Sequence, residues 1–238
     1  MTSTAPSARR AAIALLDAVL GEGRLLSDLV ASGVLDALDP ADRARAHRLA
    51  ADTLRGLERA DRLLSRHLRK PPPLHVFNTL RLGTVELCMG GDAHGVVNEL
   101  VSLIGKHRRY GNLKGLINAV LRKMAAEGGR PWTDLRIPRL KKWLREPLVE
   151  AWGAGAVTAM EKAHFAGAPL DITAKEDPAG LAERLGGLLL PTGSIRLSDP
   201  GQVSALPGYA AGEWWVQDAA AALAVGLLVP KPGEQVLD

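Results

Sequence analysis

Seven consecutive residues, Lys106-His107-Arg108-Arg109-Tyr110-Gly111-Asn112, gather four potentially cationic side chains, an aromatic ring and a glycine into one polar stretch. That mixture suits RNA, because cations pair with backbone phosphate and a base can stack on Tyr110. A solvated loop has the same composition, and the stretch alone does not separate the two readings. Lys114, Asn118 and Arg122 then recur every four residues, so on a helix they share one face. Leu116, Ile117, Val120, Leu121 and Met124 fall on the opposite side. By itself this is the ordinary polar side of an amphipathic helix; next to the basic stretch it extends one continuous basic surface. Arg9-Arg10 is the third basic feature. Cations are unfavourable near a helix N-terminus, so either another interaction offsets them or the end frays.

The remaining reactive residue types are sparse. His94 lies near Asp92 and Asn98, but no ligand cluster accompanies it, so a hydrogen-bonded structural histidine is expected and no metal. Cys88, the single cysteine, sits in the apolar run Val85-Glu86-Leu87-Cys88-Met89 and reads as core, not as a nucleophile. It excludes an internal disulfide and any multi-cysteine zinc site, and fits a reducing compartment. Trp214-Trp215 could stack a base, but tryptophans beside a strand also pack a sheet.

Helices must position these residues. Ala11, Ala12, Leu15, Leu16 and Val19 keep helical spacing until Gly21 and Gly23. Asp39-Pro40 is an N-cap followed by a first-turn proline, and it opens a stripe through Ala46, Leu49, Ala50, Thr53 and Leu57. Lys70-Pro71-Pro72-Pro73 breaks the next run. Apolar helices are predicted over 74–89 and 93–104, and a last one follows the basic turn. Short gaps between them imply an antiparallel bundle. From Gly128-Gly129-Arg130-Pro131 the texture changes: a linker near 126–135, a helix over 139–152 with Trp143, Leu144, Leu148 and Trp152 on one side, a strand near 168–174, a helix over 179–190 and a strand at 194–197. Asp218 is read as an N-cap between a strand at Trp214-Trp215-Val216 and an apolar helix, and Pro232-Gly233 as a turn into a buried strand at 235–238.

Charge follows the same division. Residues 1–125 hold 19 Lys and Arg against 12 Asp and Glu, while residues 126–238 hold 11 against 14. A basic front half with arginine in excess suits a polyanion, although an Arg-rich surface can also be compositional bias. The longest strongly apolar stretch, 219–229, is too short to span a bilayer, and the N-terminus lacks a signal-peptide core. A cytoplasmic protein with no membrane partner is expected.

Several of these segments resemble a known family. Residues 8–20 and 43–55, His94-Gly95-Val96-Val97-Asn98-Glu99, and Leu113-Lys114-Gly115-Leu116-Ile117-Asn118-Ala119-Val120-Leu121-Arg122 are similar to the NusB antitermination factor domain. Leu206-Pro207-Gly208-Tyr209 with Trp214-Trp215-Val216-Gln217-Asp218-Ala219-Ala220-Ala221 resembles the segment before the cofactor loop of the RsmB/Sun family. Those enzymes use S-adenosylmethionine to methylate cytosine carbon-5 in small-subunit (16S) ribosomal RNA.

The resemblance implies a mainly α fold: a NusB-like helical RNA-binding bundle over 1–127, a small α+β connector over 136–205, and the first strand-helix-strand of a Rossmann-like methyltransferase domain over 206–238. It implies RNA as partner, held by Arg9, Arg10, Lys106, Arg108, Arg109, Tyr110, Lys114, Asn118 and Arg122. The family's Cys-Ala-Ala-Pro-Gly-Gly-Lys cofactor loop and its two catalytic cysteines have no match in this sequence. No bound cofactor and no methylation are therefore expected of this chain alone. A non-enzymatic NusB-like RNA-binding or antitermination module is the second reading, and a protein–protein adaptor the third.

Overall fold

The computed structural model describes residues 7–198, 203–229 and 231–236. They fall into two compact units, divided between residues 166 and 167.

The first unit is helical: α1 (Ala8–Glu22), α2 (Leu26–Ala31), α3 (Pro40–Arg55), α4 (Leu57–Leu64), α5 (Leu74–Cys88), α6 (Ala93–Gly105), α7 (Lys114–Glu127), α8 (Arg130–Thr133) and α9 (Lys142–Ala166). Local chemistry sets the ends. Ser7 Oγ accepts from Arg10 N–H at 3.2 Å, Asp39 Oδ1 from Asp42 N–H at 2.8 Å and Asp92 Oδ2 from Gly95 N–H at 2.6 Å. Gly23, left-handed at φ 71°, closes α1.

Helix α5 is the centre of the bundle. It packs against α1, α3, α4, α6 and α7, and Val76, Leu80, Leu82 and Val85 are buried along it. A Cβ on Gly83 would lie 2.7 Å from a Leu100 methyl and 2.8 Å from a Leu121 methyl. The missing side chain is what lets α6 and α7 approach α5 this closely.

The linker expected near 126–135 is not free. Helix α8 puts Trp132 into the core, 7% exposed, and Arg59 of α4 donates to the carbonyls of Trp132, Leu135 and Arg136. In α9 the expected 139–152 helix runs on to Ala166, interrupted where Gly153 leaves helical geometry at φ 79° and ψ 156°. Trp143 and Trp152 on its first part stand in solvent.

The second unit contains β1 (Leu170–Ala174), α10 (Pro178–Leu185), β2 (Leu188–Leu189), β3 (Ile195–Leu197), β4 (Trp214–Val216) and α11 (Ala219–Leu228). One antiparallel sheet has the order β2-β3-β1-β4, with Ile172, Leu181, Ile195, Leu197 and Trp214 as its core.

One expectation is corrected here. The helix expected over 179–190 stops at Gly186, and Leu188-Leu189 is extended. The strand and helix expected after 206 are present as β4 and α11, and Trp214–Val216 pairs antiparallel with β1, in register Ile172 to Val216. Trp214 is 3% exposed and donates from its indole N–H to the Pro207 carbonyl. Asp171 then ties α11 to the sheet, accepting from the Arg196 guanidinium twice at 2.8 Å and from Ala219 N–H. The Arg196 hydrogen bonds hold its carboxyl below the usual carboxylate range. Of the strand expected at 235–238, Gln235 and Val236 are irregular, and Leu237 and Asp238 lie outside the described residues.

Candidate nucleic-acid interface

The 106–112 segment is a tight turn between the C-terminus of α6 and the start of α7. His107 N–H donates to the Ile104 carbonyl at 2.9 Å, and Gly111 N–H to the His107 carbonyl at 2.9 Å. A Cβ on Gly111 would stand 3.0 Å from the Gly105 carbonyl oxygen, so a glycine is what allows the chain to fold back here.

Aromatic rings fix the turn from beneath. His107 and Tyr110 stack with centroids 4.7 Å apart, and His75, in the first turn of α5, lies 4.6 Å from His107 and 5.7 Å from Tyr110. His75 Nδ1 is 2.6 Å from Asp17 Oδ2; a carboxylate only accepts, so that nitrogen carries the proton. Asn78 donates to the other Asp17 oxygen at 2.8 Å. His107 Nδ1 accepts from the backbone N–H groups of Arg109 and Tyr110, each at 3.2 Å, and is therefore unprotonated. Burial, then the neighbouring His75, lowers the His107 pKa, which keeps the ring neutral and the turn closed.

A cleft of about 320 Å³ opens beside this stack, lined by Arg10, Ile13, His75, Lys106, His107 and Arg108 among others. It brings together three of the cations expected from sequence: Arg10 from α1, and Lys106 and Arg108 from the turn. All three are exposed, and among the described residues none forms an ion pair. Lys114 continues the basic surface, since its Cδ lies 3.6 Å from the position a Gly105 Cβ would take. Arg109 also points to solvent, its guanidinium 5.5 Å from the Tyr110 ring centre. Asn118 and Arg122 lie further along α7 and do not line the cleft; there Arg122 Nε donates to Asn118 Oδ1 at 3.0 Å. Tyr110 is half-buried with two ring neighbours, His75 and His107, stacked against it, so in this structure the ring helps hold the turn.

Arg9 does not belong to this surface, and this is a correction. Helical spacing places it with Ala12, Ile13 and Leu16 on the buried face of α1, where it is 6% exposed. Its guanidinium binds both Glu86 carboxylate oxygens at 2.7 Å and pairs with Glu99. Burial opposes the charge, but Glu86 and Glu99 outweigh it and raise the Arg9 pKa. This pairing is the interaction that offsets a cation at the start of a helix.

Other candidates take structural roles. Asn98 contacts the exposed His94 ring one turn away, and among the described residues no group of His, Cys, Asp and Glu is arranged to hold a metal. Cys88 packs against the core, and burial, with Glu127 nearby, pushes its thiol up to about 11. His75 and Asp17 escape sequence reasoning because they are 58 residues apart and only the fold pairs them.

A helical bundle with an apolar hub helix and a basic, stack-braced turn is the class of protein these features define. Residues 6–126 match the model of the NusB family, and the chain belongs to that family. The chain is 30% identical to ribosomal RNA small subunit methyltransferase B of Xanthomonas campestris pv. campestris, the match covering 98% of this chain and 55% of that one. The Pseudomonas putida protein of the same name is 32% identical, over 97% of this chain and 56% of its own length. The chain thus spans about half the length of the curated relatives it matches. Among solved structures, that of PH0851 shares the fold at a TM-score of 0.56 and 15% identity, over 98% of this chain and 57% of that one. Among the described residues, no helix is long and apolar enough to cross a membrane.

Proposed function

We propose that this chain is the RNA-binding part of an S-adenosylmethionine-dependent, cytoplasmic methyltransferase acting on cytosine carbon-5 of small-subunit ribosomal RNA. The observation that carries the reading is the cleft in which Arg10, Lys106 and Arg108 converge without ion-pair partners among the described residues, in a chain related over nearly its whole length to ribosomal RNA methyltransferases. Unpaired cations on a braced turn bind phosphate at little ordering cost. The bases of a single strand are then presented beside His75 and His107.

The methyl donor is assigned to the complete enzyme. In the second unit the Asp218 carboxylate is taken up by the N–H groups of Ala220 and Ala221 at the start of α11, a helix of alanine, leucine, valine and glycine.

Fluorescence anisotropy with single-stranded ribosomal RNA segments tests the interface. If about four phosphates are neutralised, log K falls against log salt with a slope of about −3. Lys106→Glu with Arg108→Glu weakens binding about tenfold or more and leaves the melting temperature nearly unchanged, since both side chains are exposed. The control pair Lys175→Glu with Lys231→Glu, in the second unit, changes little. Unchanged binding after the first pair, or equal loss from both pairs, rejects the site.

A further inference from the structure

A second basic feature of the first unit lies away from the turn. A groove of about 910 Å³ runs between the end of α3, helix α4 and the 136–146 segment, and shares no lining residue with the cleft at Arg10. Its far wall is irregular chain up to Lys141 and the start of α9 beyond it, yet it is fixed. Arg59, 7% exposed, donates to the carbonyls of Trp132, Leu135 and Arg136, where that wall begins. Glu58 accepts from the Arg136 guanidinium at 2.6 Å and from Arg139 N–H at 3.2 Å. Glu161, buried, accepts from Leu140 N–H and from Arg145, both at 2.9 Å.

That architecture consumes the local carboxylates. Glu58 is engaged by Arg62 and Arg136, Asp61 by Arg81 from α5, and Glu161 by Arg145. Even with these partners counted, eight cations face five carboxylates, the fifth acid being Asp52 beside Arg55 and the fourth Glu146 beside Lys142. The guanidinium of Arg139 and the ammonium of Lys141 form no ion pair among the described residues. The Lys142–Glu146 pair, at 3.5 Å and largely in solvent, yields readily to a stronger anion.

We infer that this groove is a second nucleic-acid site, taking the phosphodiester backbone of double-stranded RNA. It rests on RNA being a ligand of this protein, but on none of the residues of the first site. Among the described residues no aromatic side chain lines the groove: Trp143, in the same 136–146 segment, stands in solvent outside the lining, and the nearby Trp132 and Phe165 rings are covered by Arg59, whose guanidinium carbon lies 5.5 and 4.4 Å from their centres. A single strand gains nothing there by stacking. A duplex presents its phosphates on the outside and needs only charge and shape. The two sites thus divide the work, with a stacking-capable cleft for unpaired nucleotides and a ring-free groove for an adjoining helix.

The test is anisotropy of the full chain with a blunt RNA duplex, a single-stranded RNA of equal length and a poly-glutamate peptide. Arg139→Glu with Lys141→Glu lowers duplex affinity about tenfold or more and makes the salt slope shallower by about 2, while single-strand affinity stays within about twofold. Lys106→Glu with Arg108→Glu gives the reverse pattern, so failure of the first site shows in a different probe. Should the reversals disturb folding, Arg139→Gln with Lys141→Gln keeps the slope change readable. Duplex affinity unchanged in a folded variant, or no duplex binding by the unaltered chain, overturns the inference. Poly-glutamate binding as tight as duplex, lost with the same reversals, also overturns it and assigns the groove to an acidic protein surface.

Discussion

Arg9 and Arg10 are neighbours in sequence and opposites in the fold. One is buried between Glu86 and Glu99, the other lines the basic cleft. Arg9→Ala leaves Glu86, 11% exposed, with only Arg45 at 3.3 Å, and is expected to cost about 3 kcal/mol in a urea melt, as for a broken buried pair. The variant that remains folded binds RNA as before. Arg10→Ala does the opposite, keeping stability and weakening RNA; equal behaviour of the two variants contradicts the assignment. His107 sets a pH dependence of known sign. Its lowered pKa means the folded turn favours the neutral ring, so its contribution is fully present above about 6.5 and is lost as pH falls below that value through the folded pKa. Comparing melts of the native chain and His107→Gln from neutral to mildly acidic pH isolates it. A native chain that gains stability relative to His107→Gln on acidification would falsify the turn geometry.

At the scale of elements, what could be read locally was local in cause. Asp39-Pro40 names its helix because the cap and the first turn are adjacent in the chain. The basic turn was legible for the same reason, whereas its bracing by His75 and Asp17 depends on α1 and α5 meeting in space. Arg9 was misplaced because a polar residue beside Arg10 looks exposed until the helix phase and two distant glutamates are known. Leu188 and Leu189 continue an apolar helical pattern, but Gly186 at φ 63° ends it, and a Cβ on Gly187 would stand 2.5 Å from Ile195 Cγ2. Those two glycines were the available signal. Gly83 tests how tightly α5 is held. Alanine there is the better helix former by about 1 kcal/mol. Its methyl nevertheless meets Leu100 and Leu121 methyls at under 3 Å, so Gly83→Ala is expected to destabilise by about 1–3 kcal/mol. A rise in melting temperature would show that α6 and α7 yield without cost.

For the molecule as a whole, the division at 166/167 matters more than the compositional shift near 126–135. The texture changes early in the sequence, but Trp132, Leu135 and Phe165 all pack with the helical core, so the chain leaves that core only after α9. Both basic sites, the cleft at Arg10 and the groove at Arg139, lie before the division. The second unit keeps a separate small core around Ile172, Ile195 and Trp214, and Asp171 serves its own sheet and α11. Residues 1–166 should therefore fold alone and carry the RNA affinity of the full chain. The fragment is expected to melt cooperatively and to bind single-stranded ribosomal RNA within about threefold of the full chain, with the same salt slope, because the slope counts phosphates at sites the fragment retains. Circular dichroism melts and anisotropy on the two chains measure both quantities. A folded fragment that binds more than about tenfold more weakly, with a shallower slope, would place essential phosphate contacts on residues 167–238 and reject the first unit as the RNA-binding part.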